Sequence, residues 1–155
     1  MPIPIELDFA SRVATPGVDL WAVASTMAGV NAELRPLVRM TFPHDRASLV
    51  DHDVVPGEVV FRGWLLLFGV LPIDRHSLGL ERVLDLGFDE ESSSWLQQRW
   101  RHERRIVDHG DGTSTVTDHV VVVPRIAISR SIVAAMVGVV FRHRHRRLTE
   151  RFGSA

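Results

Sequence analysis

Residues 126–152, IAISRSIVAAMVGVVFRHRHRRLTERF, decide the fold. They form the one long segment whose apolar side chains recur at helical spacing. Ile132, Met136, Val139, Val140 and His143 fall on one side, and Val133, Val137, Phe141, Leu148 and Phe152 widen the apolar face. At 1.5 Å per residue such a helix runs about 40 Å, the width of a small domain, so it needs a sheet to lie across. The sequence ahead of it reads mainly as strands and supplies that sheet.

With 155 residues, 45% of them hydrophobic and 24% charged, the chain has the material for a single domain spanning residues 1–155. The net charge of -1 gives no global field favouring nucleic acid. Cysteine is absent, which excludes disulfides, thiolate metal sites and thiol nucleophiles. All 18 basic residues are arginine, so Schiff-base lysines and the Walker lysine are excluded as well. The amino terminus lacks a signal-peptide pattern, and the longest apolar run, Ile132 to Phe141, is about half of a membrane span. These features point to a cytoplasmic protein with no membrane span, no cofactor and no metal.

Along the chain, Ile3, Ile5, Leu7 and Phe9 alternate with Pro4, Glu6, Asp8 and Ala10 as a half-buried strand. Thr15-Pro16 opens a short helix ending near Ser25, and a second runs from Met27 to Leu34 before Pro36. Pro43 to Gly57 is a loop, and its Asp51-His52-Asp53 is an unpromising metal site because adjacent side chains do not converge. Glu58 to Leu71 is a strand with Arg62 and Trp64 on one face and Phe61, Leu65 and Leu67 on the other. Both faces are apolar, so the strand is either covered on both sides or contributes to a homodimer contact. Leu71-Pro72-Ile73-Asp74 makes the next connection, and His76 to Leu86 alternates as a strand ended by Gly87. Phe88–Trp95 and Leu96–Val107 are two more strands, and His109-Gly110-Asp111-Gly112 turns the chain into a last strand from Thr113 to Val123.

Strand, two short helices, about six antiparallel strands and one long helix is the order of the helix-grip fold. The sequence resembles the START-like SRPBCC superfamily, which includes polyketide cyclases and pollen-allergen-like proteins. The resemblance rests on Thr15-Pro16, on Trp100-Arg101-His102, and on Gly112-Thr113 through Asp118 and Val120 to Pro124. Phe141-Arg142-His143-Arg144-His145-Arg146-Arg147-Leu148 completes it. It implies an α+β fold, a curved antiparallel sheet of six to seven strands wrapped around the carboxyl-terminal helix. It also implies a small hydrophobic ligand, such as a lipid, isoprenoid or polyketide-like ring, held between sheet and helix. It transfers no catalytic residue.

Read from the residues, the strand Leu96–Val107 puts Trp100, His102, Arg104 and Ile106 on one face and Arg99, Arg101, Glu103 and Arg105 on the other. A three-residue loop at His109 to Asp111 would set His102 opposite Asp118 and Arg104 opposite Val116, and a one-residue slip would oppose His119 instead. An imidazole held by a carboxylate can orient a ligand carbonyl or act as acid or base in a cyclase or dehydratase. The same cluster also serves simply to fix strand register. Trp64, His76, Trp95 and Trp100 are expected in the cavity wall, Arg62 at its rim, and Met136, Val139 and Val140 over it. The RHRHRR run at Arg142–Arg147 reads as a solvated helix end rather than a nucleic-acid site.

Overall fold

The structure, a computed structural model, describes residues 3–51, 53–126 and 130–155. β1 (Ile5–Val13) is followed by α1 (Gly17–Ala24), α2 (Met27–Leu34) and the short edge strand β2 (Val38–Met40). Then come β3 (Val59–Leu67), β4 (Leu71–Leu84), β5 (Gly87–Ser94), β6 (Gln97–Asp108), β7 (Ser114–Pro124) and α3 (Arg130–Phe152). The seven strands form one curled antiparallel sheet in the order β1-β7-β6-β5-β4-β3-β2. This is the expected α+β helix-grip architecture. His52 and residues 127–129, the latter in the stretch read as the start of the long helix, lie outside the described residues.

α1 lacks the side-chain cap expected of Thr15: Pro16 is the cap residue, and the Gly17 N–H donates to Asp108 Oδ2 at 2.7 Å. Thr26 does cap α2, accepting from the Gly29 N–H at 3.0 Å. The β3–β4 turn falls at Phe68-Gly69-Val70, where Phe68 and Gly69 have positive φ, rather than at Leu71–Asp74. Three apolar clusters cover the concave face. Val13, Leu20, Ile106, Val116 and Leu148 close the end beside α1. Phe61, Leu78, Leu80 and Phe88 pack with Met27 and Leu49, and Val137 and Phe141 of α3 lie on Ile5, Val120 and Val122. The strands' other ends, at Ile5, Leu67–Leu71, Ser94–Gln97 and Pro124, form a rim next to the start of α3.

The inward face of α3 is Val133, Val137, Phe141, Arg144, His145 and Leu148. Met136 and Val139, expected over a cavity, are instead half exposed, and Val140 is only half buried. The helix is rotated from its apolar optimum because Arg144 and His145 are required inside.

Candidate functional site

Where an apolar cavity was expected, the centre of the grip holds a continuous set of paired charges. Arg104, fully buried on β6, is the hub: its guanidinium donates to Asp118 of β7 through Nε and Nη2, both at 2.8 Å. It also donates to Glu33 of α2 through Nη1 and Nη2 at 2.9 and 2.8 Å. Glu33 also accepts from Arg144 Nε at 3.2 Å. Asp118 accepts from His102 Nε2 and His145 Nε2, each at 2.7 Å, and the other nitrogen of His145 is hydrogen-bonded to Ser11 Oγ. His102 Nδ1 lies 3.6 Å from Glu90, whose Oε2 accepts from His76 Nε2 at 2.8 Å and Ser92 Oγ at 2.6 Å. The network thus joins α2, β4, β5, β6, β7, β1 and α3.

Alternation explains how these groups meet. His76, Glu90, His102, Arg104 and Asp118 occupy inward positions of four neighbouring strands, between Leu78, Phe88, Ile106 and Val116. Phe141 fits among them from above, edge-on to His102 at 5.0 Å, stacked on Phe9 at 5.3 Å and beneath the Arg144 guanidinium. Burial alone would raise the Asp118, Glu33 and Glu90 carboxyls. The Arg104 charge, with His102, holds Asp118 well below its ordinary value; Arg104 and Arg144 hold Glu33 below it; hydrogen bonds from His102 and His76 do the same for Glu90. Burial opposes ionisation of Arg104, but Asp118 and Glu33 raise its pKa well above the usual guanidinium value. Among the described residues no group of three or more His, Asp or Glu is arranged to hold a metal ion.

Two surface clefts lie elsewhere. One of about 260 Å³ sits on the convex face among Asp8, Glu103, Arg105 and His119. Another of about 240 Å³ reaches Glu33 from the side, between α2 and Arg147, Leu148 and Phe152.

The model of the family Domain of unknown function (DUF8410) matches residues 11–152. The chain belongs to this family. No functionally curated protein matches it significantly in sequence. Among solved structures, this DUF8410 chain is similar to a START superfamily protein from Mycobacterium smegmatis, with a TM-score of 0.69 and 11% identity over 95% of this chain and 96% of that one. It is also similar to the Zhui aromatase/cyclase from Streptomyces sp. R1128, with a TM-score of 0.63 and 13% identity over 96% and 93% of the two chains. Ara h 8.0201 superposes with a TM-score of 0.57 and 12% identity over 96% and 99%. At these identities the likeness establishes the START/SRPBCC-like fold.

In the DUF8410 chain, His102, Arg104, Asp118 and His76 meet inside the grip, and Trp100 stands beside His76 and Phe141 at 6.2 and 6.1 Å. The β6–β7 register differs by two residues from the expected one: His102 opposes Val120 and Arg104 opposes Asp118. The cause is a loop of residues 109–113, held by the His109 N–H on the Thr113 carbonyl and by Asp111 accepting from Thr113. A two-residue shift keeps every side chain on its face, so His102 still reaches Asp118, diagonally.

Arg62 and Trp64 lie on the convex face, where Trp64 packs against Trp95 and lies under Arg75, and Trp95 itself is 65% exposed at the β5–β6 turn. These three therefore do not line the interior. Nor is the RHRHRR run merely solvated, since Arg144 and His145 are buried, His143 bonds the Arg35 carbonyl and Arg147 the Ala32 carbonyl. Glu33, Glu90, Arg144 and His145 are the members that sequence reasoning missed. The available signal was position: Glu90 alternates with Phe88, and Arg144 and His145 follow Phe141 by three and four residues.

Proposed function

We propose that the chain binds a small, mainly apolar molecule carrying one polar group, taken in at the rim between Trp100 and the first half of α3. The reading is supported by the change in character along the interior. Toward α1 the polar groups are closed on one another; toward the rim they give way to Trp100, Phe141, Val137 and Val133. The observation that carries it is His76, the network member nearest the rim. Its Nε2 is held by Glu90, while its Nδ1 makes no hydrogen bond among the described residues. On the same side lies Gln97, opposite Pro124, whose Oε1 is buried without a partner among the described residues. An unpaired buried acceptor is costly unless something else satisfies it, and a ligand hydroxyl would do so.

The alternative, a cyclase- or dehydratase-type enzyme using His102 with Asp118, has less support. Both groups are already closed on protein partners, and a base must reach the proton it takes. Native mass spectrometry of protein purified without detergent is expected to retain an apolar compound. A titration with 2-naphthol should quench tryptophan fluorescence, with binding weakened about tenfold or more in Trp100→Ala. A chain that is empty and does not bind the probe would overturn the reading.

A further inference from the structure

The rim has a second character, independent of any ligand inside. Phe68, Val70, Leu71, Trp95, Leu96 and Ile132 are each half or more exposed there. They come from three separate segments, the β3–β4 turn, the β5–β6 turn and the first turn of α3. Exposed apolar side chains gathered at one end of a sheet mark an interaction surface. Phe68 sharpens the point, because it holds φ of 53° at the tip of its turn, a conformation in which glycine or asparagine is at ease and a bulky side chain is strained. An aromatic residue there is poorly suited to the turn and well suited to projecting outward.

The charges identify the partner. Arg39, Arg75, Arg125 and Arg130 stand on or beside the same rim. The described contacts of the last three are an indole and backbone carbonyls rather than carboxylates. Between residues 67 and 75 the sole acidic group is Asp74, which is buried and accepts from the Arg75 and Leu96 N–H groups; Ser94–Gln97 and Pro124 carry none, and beside Ile5 stands one exposed carboxylate, Glu6. Four arginines against one exposed carboxylate make this rim locally cationic. Two copies meeting rim to rim would bring arginine against arginine. An anionic surface would neutralise them.

We propose that the rim docks on the surface of an anionic lipid bilayer, with Phe68, Val70 and Trp95 entering the headgroup region and the arginines lying at phosphate level. Amphipathic tryptophan and exposed apolar tips favour the interface, and nearby arginines add electrostatic attraction. No membrane-spanning helix is involved, and among the described residues none is long and apolar enough to be one.

The test is flotation of the full chain with vesicles of equimolar phosphatidylglycerol and phosphatidylcholine, compared with vesicles of phosphatidylcholine alone. Binding is expected to the anionic vesicles and to fall about fivefold for each of Arg39→Gln and Arg125→Gln. Phe68→Asp combined with Trp95→Asp should lower it more than about tenfold. Both positions are exposed, so circular dichroism should show the fold retained, and Arg62→Gln on the convex face should bind as the unaltered chain does. Absence of binding, or binding that survives the Phe68/Trp95 pair, would overturn the proposal. So would a dimer in sedimentation equilibrium that this pair converts to a monomer, since that would assign the rim to a second copy.

Discussion

Replacing Arg104 with methionine tests whether the buried network is a structural keystone. The variant keeps most of the volume and removes one cation held by four hydrogen bonds of 2.8–2.9 Å to Asp118 and Glu33. Charged hydrogen bonds contribute roughly 1.5–3 kcal/mol each, but burying the three ions opposes much of that sum. What decides the outcome is what remains. Asp118 keeps His102 and His145, and Glu33 keeps only Arg144 at 3.2 Å. Breaking a buried pair from one side costs about 3–5 kcal/mol, which is roughly a fifth or more of the stability of an ordinary domain. Urea unfolding followed by tryptophan fluorescence should show that loss as a lowered midpoint. Adding Glu33→Leu to Arg104→Met should recover part of it, because an uncompensated carboxylate is then gone. A loss below about 1 kcal/mol for Arg104→Met, or strictly additive losses in the pair, would refute the reasoning.

Acid should unfold the chain steeply. The folded-state pKa values of Glu33, Glu90 and Asp118 lie below their ordinary values of 4.5, 4.5 and 3.8, so the folded state binds fewer protons than the unfolded one. Their stabilisation is complete above about pH 5 and is lost as the pH falls below that range, at about 1.4 kcal/mol per pH unit for each carboxylate. Urea midpoints measured from pH 6 to 3 should trace this, and Arg104→Met should flatten it; an unchanged midpoint down to pH 3 would contradict it. Gly29→Ala, favourable by helix propensity, should instead destabilise by more than about 2 kcal/mol in the same assay, because its Cβ would run into the Val23 backbone carbonyl. Thr26→Ala should cost about 1 kcal/mol by removing the α2 cap, and a smaller effect on its urea midpoint than on that of the convex-face variant Arg62→Ala would count against the cap.

The strands were legible because most alternate strictly, and α2 because Pro36 ends it; its Thr26 cap was not read. The phase of α3 was not, because its apolar residues go nearly all the way round and the deciding residues, Arg144 and His145, look like surface residues when taken one at a time. The β6–β7 register escaped for a different reason. Gly110 and Gly112 both allow positive φ, so loop length was not fixed by the sequence, although alternation preserved the faces and with them the His102–Asp118 contact. Glu33 lies 71 residues from its partner Arg104, and no local pattern announces a pairing at that distance. Trp64 and Trp95 were assigned to the cavity wall by residue type alone and Arg62 to its rim, and the curl of the sheet leaves them on its convex side or at its edge.

The central claim is that polar groups near α1 are closed on one another while His76 stands ready at the rim, and imidazole nitrogen NMR on addition of 2-naphthol tests it most directly. The account predicts that the His76 Nδ1 resonance shifts while those of His102 and His145 stay in place. A shift centred on His102 or His145, or none at His76, would contradict it.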